Sequence, residues 1–163
     1  ASFTPDGLAF NDDTAAANSL GDYEEGTFTP SLTAGYSYAG TITYTNQVGH
    51  YTKIGNQVFA YIYLRPSGNS AHSGNVITDG NGLTVGGLPF TNNNTANNEG
   101  GGYITYTSGF LGSSHNVNLD AMPWVPLNDT RVIFHTPEDG NNVLGNETTP
   151  TNNYFIFHVR YHV

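Results

Sequence analysis

Two pairs of adjacent carboxylates are the residues that first suggest catalysis. Glu24 with Glu25, and Glu138 with Asp139, have the side chains that glycoside hydrolysis uses as acid and as base or nucleophile. Neighbours on a strand point to opposite faces, however, and Pro-Glu-Asp-Gly around the second pair is a turn composition. We therefore expect solvated structural roles and predict no catalytic residues. Carboxylates distant in sequence leave glycan cleavage open as an alternative.

Six histidines raise the question of a metal site. His158 and His162 would chelate one ion on a helix, but on a strand they lie about 13 Å apart, too far for one metal. The other histidines are isolated, and the chain has no HxH or HExxH motif. Its Ser, His and Asp residues are too scattered to argue a catalytic triad. The sequence therefore predicts no metal and no cofactor.

Composition limits the possible partners. Only 10% of the residues are charged, against roughly 25% in an average soluble protein, and the net charge is −9. An acidic chain with four Lys and Arg residues in all is a poor partner for nucleic acid or an anionic membrane. No apolar run approaches the ~20 residues of a membrane helix, so we expect no membrane insertion. With no cysteine, disulfides are excluded.

The elements that must position any site are strands. In residues 58–64 Val58, Ala60, Ile62 and Leu64 alternate with aromatic residues, which is the period of a strand that is apolar on both faces. Residues 50–54 predict a second strand, and Gly55-Asn56 between the two suits a tight hairpin turn. Such a hairpin is not stable alone in water, so other strands must cover it.

The rest of the chain predicts an all-β fold. Further strands are expected at residues 27–33, 41–45, 83–88, 103–107, 115–120, 130–135 and 154–163. Strands at this spacing favour a single β-sandwich of jelly-roll type over residues 26–163. Residues 1–25 are interpreted as a connector with one short helix at residues 12–20. Residues 66–82, 91–102, 122–128 and 137–153 are predicted to be surface loops.

Three strings in order resemble a known family. Residues 20–30, LGDYEEGTFTP, are similar to the LDDYEEGTWTP opening of many bacteriophage tail-fibre and related receptor-binding proteins. Residues 51–58, YTKIGNQV, and 83–90, LTVGGLPF, resemble that family's YTKIGNxV and LTIxGLPF. Gly21 replaces the usual Asp and Phe28 the usual Trp, and the half of the chain after residue 90 matches only in general character.

The resemblance implies a C-terminal all-β head that forms a homotrimer and binds the host surface. Its expected location is the virion, as an extracellular part of a phage tail fibre, and its expected ligand is host cell-surface polysaccharide. The chain begins at Ala1 without Met, which suggests a piece of a longer fibre protein with a preceding part. The leading interpretation is a non-enzymatic receptor-binding domain, and the alternatives are a glycan-degrading tail enzyme or a purely structural fibre cap.

Candidate ligand-binding residues are sought on loops, because strand residues are committed to packing. Trp124, the only Trp, lies between two prolines and offers a rigid face for a sugar ring, although a core position under a loop is slightly favoured for it. Tyr36 and Tyr38 are the next candidates, followed by His72 and Asn94 in the most polar loops.

Overall fold

The structure is a computed structural model that describes residues 2–4, 7–9, 22–32, 42–69, 84–108, 121–135 and 154–163. Every regular element in these ranges is a β-strand, which confirms the all-β prediction, whereas the helix predicted at residues 12–20 lies outside them. The strands are β1 (Ser2–Thr4), β2 (Gly7–Ala9), β3 (Tyr23–Phe28), β4 (Ser31–Leu32), β5 (Ile42–Ile54), β6 (Gln57–Asn69), β7 (Thr84–Gly86), β8 (Gly100–Ser108), β9 (Met122–Val125), β10 (Val132–His135) and β11 (Tyr154–His162).

Nine strands form one antiparallel sheet in the order β3-β5-β6-β11-β8-β9-β10-β7-β4, and β1 and β2 form a separate hairpin. The hairpin of β5 and β6, which the alternating sequence predicts, is the longest pairing in the described ranges. Its turn is at Gly55-Asn56, where Gly55 has a φ of 58° that an L side chain rarely adopts. β5 is longer than predicted, because residues 42–45 and 50–54, expected in two separate strands, belong to one continuous strand.

The core lies on one face of the central strands. Val58, Ala60, Ile62 and Leu64 of β6 are buried, as are the alternate residues of β11, namely Phe155, Phe157, Val159 and Tyr161. The strands pair in register so that these residues meet side by side, for example Phe157 opposite Ile62. The period of two therefore predicts the core of both strands correctly and leaves their other side chains on the outer face.

The sheet curls until its two ends meet. Phe134 of β10 packs on Phe155 and Phe157 of β11 with ring centroids 4.9 and 5.1 Å apart, although two strands separate β10 from β11 in the sheet. At the ends of the order, the Leu32 amide on β4 donates to the Tyr44 hydroxyl on β5 over 2.9 Å. The sheet thus folds over its own core.

Three predicted loops are partly strand. Residues 66–82 begin with the end of β6, residues 122–128 begin with β9, and residues 91–102 end in β8. The two prolines around Trp124 predict a loop. Within β9, however, only Trp124 and Val125 pair with β8. Pro123 has no partner on β8, so the N–H that it lacks is not needed on that side. In the described ranges no helix has the length and apolar character needed to cross a bilayer.

Candidate functional site

Four ring-bearing side chains line up across the outer face of the sheet. They lie on the four neighbouring strands β5, β6, β11 and β8, and we call them the aromatic row: His50, Tyr61, His158 and Tyr103. The strand register places His50 opposite Tyr61, Tyr61 opposite His158, and His158 opposite Tyr103. Paired residues of antiparallel strands project from the same face, so the fold itself places the four rings side by side.

The rings of the aromatic row contact one another in sequence. His50 and Tyr61 have centroids 6.2 Å apart and tilted planes, and Tyr61 meets His158 edge to face at 5.2 Å. His158 and Tyr103 are stacked at 5.0 Å with only 15° between their planes. Tyr103 is 62% exposed, so the end of the row presents a supported ring to solvent. Contacts between rings hold each in place and reduce the rotamer freedom that a ligand would otherwise have to restrict.

A second set of residues runs beside the row, two positions along each strand. Phe59 of β6 lies opposite Arg160 of β11, and the guanidinium carbon of Arg160 lies 5.9 Å from the centre of the Phe59 ring. Opposite Arg160 on β8 is Gly101, which has no side chain. A Cβ there would meet no atom nearer than 3.8 Å, so the space above Gly101 is open.

These residues enclose an open depression of about 460 Å³. Its lining includes the aromatic row, Phe59, Arg160 and the two glycines Gly101 and Gly102. That volume falls within the usual range of small-molecule sites, and so does the lining of mainly apolar surface with a few polar groups. Ring faces, three phenols, two imidazoles and one guanidinium suit a ligand that stacks and accepts hydrogen bonds.

The charges near the depression are unlike those of the chain as a whole. Its lining contains Arg160, His50 and His158 but no carboxylate. Elsewhere, Lys53 forms an ion pair with Asp22, and Arg131 bonds to Asp129 at 2.6 Å. At Asp129 burial favours the neutral acid, but the hydrogen bonds and charge of Arg131 outweigh it and hold the pKa of that carboxyl below its usual value.

The carboxylates Glu24 and Glu25 serve separate phenols, as expected for neighbours on a strand. Glu24 accepts a hydrogen bond from Tyr51, and Glu25 accepts one from Tyr23 at 2.8 Å. Each of these hydrogen bonds raises the pKa of its phenol above the ordinary value. Across the described ranges, no three His, Cys, Asp or Glu side chains come together as metal ligands.

The structure describes two of the five residues predicted to bind ligand. Tyr36, Tyr38 and His72 lie outside the described ranges. Asn94 is exposed in the segment between β7 and β8 and does not line the depression. Trp124 lies on β9, not on a loop, and packs edge to face on His135 with ring centroids 5.1 Å apart.

Trp124 does not fill the core either. It is half-buried, whereas its neighbours Pro123 and Val125 are buried on the inner side of β9. The register places Trp124 opposite Gly101, which itself lies opposite Arg160. Trp124 therefore lies on the same outer face as the aromatic row, one strand beyond Gly101 in the depression.

The residues of the depression were missed because strand residues were assigned to packing. The alternation in β6 and β11 does place Phe59, Tyr61, His158 and Arg160 away from the core. What the sequence lacks is the register, which brings His50 and Tyr103 to the same row from strands distant in the chain. The available signal was the unusual number of aromatic residues on the outer face of β6.

Comparison with known proteins gives one structural likeness. No protein-family model matches the chain, and no curated protein matches it. The crystal structure of the Dettilon tailspike protein superimposes with a TM-score of 0.60 and 20% sequence identity, over 86% of this chain. The chain spans 24% of the length of that tailspike chain. At this identity the likeness establishes a shared fold: the curled antiparallel sheet is one that a tailspike protein also contains.

Proposed function

We propose that this chain is a receptor-binding domain of a bacteriophage tail fibre or tailspike, which recognises host cell-surface glycan without cleaving it. The observation that carries the proposal is the aromatic row beside an open depression, with Tyr103 stacked on His158 and 62% exposed. Flat faces of pyranose rings stack on such aromatic side chains, and fixed rings lose little entropy on binding. The binding site is therefore assigned to the outer strand face instead of the loops.

Two independent likenesses support the phage assignment. The strings at residues 20–30, 51–58 and 83–90 resemble tail-fibre receptor-binding proteins, and the fold is similar to part of a tailspike protein. On this proposal the domain is an extracellular part of the virion and follows the preceding part of a fibre chain. Its curled sheet is proposed to form a β-sandwich of jelly-roll type within a homotrimer.

The test of the site is a pair of matched Tyr→Ala variants. Tyr103→Ala removes the supported ring of the row, whereas Tyr23→Ala removes a similarly exposed ring, 55% exposed, from the edge strand β3. Fluorescently labelled protein is incubated with a panel of bacterial strains and with their extracted polysaccharides. We expect Tyr103→Ala to lose binding roughly tenfold or more, and Tyr23→Ala to bind like the parent protein.

Four results would contradict the proposal in different parts. Absence of binding to every strain and polysaccharide would favour a structural fibre cap. Equal effects of the two tyrosine variants would refute the assigned site. Release of reducing ends from a bound polysaccharide would show a glycan-degrading enzyme, and a monomer by light scattering at micromolar concentration would refute the trimer.

A further inference from the structure

Arg160 is a cation whose hydrogen-bonding groups are available. It is exposed, and in the described part of the chain its contact is with the ring of Phe59, which uses none of the guanidinium donors. Lys53 and Arg131, by contrast, are already bound to Asp22 and Asp129. Of these three cations, Arg160 is the one left to bind an anion from outside.

The position of Arg160 makes it part of a binding site. It lines the depression next to Phe59, and its register partner on the other side is the bare Gly101. A ring stacked on this apolar surface would therefore have its edge beside the guanidinium. Because the guanidinium presents paired N–H donors in one plane, it matches the two oxygens of a carboxylate.

We propose that the depression binds an acidic saccharide, in which Phe59 and Tyr103 contact the sugar ring and Arg160 binds a carboxylate attached to it. This inference rests on the proposed function and adds the chemical class of the glycan. A chain with a net charge of −9 repels polyanions as a whole, so local attraction is needed to bind one. The depression supplies it through Arg160, with no carboxylate in the lining.

Two carboxylates outside the depression have to be weighed against this attraction. Glu25 of β3 lies three strands from Arg160 in the sheet order, about 14 Å away at the usual strand spacing, which exceeds the Debye length of roughly 8 Å at physiological salt. Glu99 is closer to Arg160, because it lies two residues before Gly101, the register partner of Arg160. Its side chain is exposed. It forms no ion pair with Arg160 in the described ranges, but its charge opposes an acidic ligand.

The experiment compares acidic saccharides with their own neutral forms. The probes are oligosaccharides of galacturonic acid and of sialic acid, each also prepared with its carboxylates reduced to alcohols. Binding to the 163-residue chain is measured by calorimetry at two salt concentrations. The variants are Arg160→Gln and Arg160→Lys, with Glu99→Gln as an opposite change and Arg131→Gln as a control that alters the net charge equally.

We expect at least one acidic probe to bind roughly tenfold more tightly than its reduced form, and Arg160→Gln to abolish that difference. Arg160→Lys should keep part of it, since a lysine retains the charge but not the planar pair of donors. Glu99→Gln should strengthen binding of the acidic probe, and Arg131→Gln should leave it unchanged. High salt should weaken the acidic probe more than the neutral one.

The inference is overturned if reduced and acidic probes bind equally, or if Arg160→Gln and Arg131→Gln behave alike. It is also overturned if the protein binds host cells through Tyr103 while none of the acidic probes binds. That last result would leave the proposed function intact. Failure of the protein to bind any host cell or polysaccharide would instead refute the proposed function, and the inference with it.

Discussion

Replacing Gly102 with alanine should destabilise the fold, because β8 approaches β11 too closely there to admit a side chain. A Cβ at Gly102 would lie 1.8 Å from the carbonyl oxygen of His158 and 2.9 Å from the Cα of Val159. Both are backbone atoms, so no side-chain rotation relieves the contact. Ordinary contact of a Cβ begins at about 3.4 Å, so the Cβ at Gly102 would be about 1.6 Å too close to the carbonyl oxygen of His158. That is about a third of the spacing between paired strands.

A displacement of that size should break local pairing between β8 and β11. Two ladder hydrogen bonds at about 1 kcal/mol each, with added strain in the core, give an expected loss of about 2 to 4 kcal/mol. For a chain of this length each 1 kcal/mol lowers Tm by roughly 2 to 4 °C. Urea unfolding followed by circular dichroism measures the free energy directly, and thermal unfolding provides the second readout.

The neighbouring glycine is the matched control for this prediction. A Cβ at Gly101 meets no atom nearer than 3.8 Å, so Gly101→Ala should change the free energy of unfolding by less than about 0.5 kcal/mol. Equal stabilities of the Gly101→Ala and Gly102→Ala proteins would show that the close approach of β8 to β11 is not real.

Three further changes test the core, the hairpin turn and an ion pair. Phe134→Ala removes a fully buried ring that packs on two phenylalanines of β11 and should cost about 3 to 5 kcal/mol in urea unfolding; a cost below about 1 kcal/mol would contradict the curled sheet. Gly55→Ala should cost about 1 kcal/mol from its φ of 58° alone, with Gly55→Asn milder, and equal stability of both would contradict the turn. Arg131 lowers the pKa of Asp129 in the folded protein. The ion pair therefore stabilises the folded state above the unfolded carboxyl pKa of about 3.9, and this stabilisation is lost as pH falls through the pKa of Asp129 in the folded state. Arg131→Gln should therefore be less stable than the parent at pH 7 and converge with it at pH 2, and a constant difference would contradict the assignment.

The inner face of the fold could be predicted from the sequence because it depends on local alternation. The period of two in residues 58–64 and 154–163 identifies the buried residues of β6 and β11, and Gly55-Asn56 identifies the turn between β5 and β6. The extent of the strands was less accessible. β5 continues through residues 46–49, where the pattern weakens, because pairing with β6 and not propensity holds it extended.

The site was not accessible in the same way, because it depends on register between distant strands. His50 and Tyr103 are 53 positions apart in the chain, yet they flank the same pair of rings, since two intervening strands align them. An apolar residue on the second face of a strand has the same sequence signature whether it is covered or exposed. Trp124 illustrates this: its prolines predicted a loop, and only the neighbouring strands β8 and β10 show that it belongs to the outer face.

The glycines at the start of β8 connect the fold to the site. Gly102 is required by the backbone, because a Cβ would collide with β11, whereas Gly101 is not, since the space above it is open. A Cβ at Gly100 would likewise lie 2.5 Å from the Cβ of Tyr161, so the fold accounts for Gly100 and Gly102 and leaves Gly101 to be explained by what the open space does. That space is the floor of the depression, between Arg160 of β11 on one side and Trp124 of β9 on the other. β8 thus has no side chain at Gly101 and presents the ring of Tyr103 two residues further on. A bare position beside an exposed ring is the geometry that accommodates a ligand.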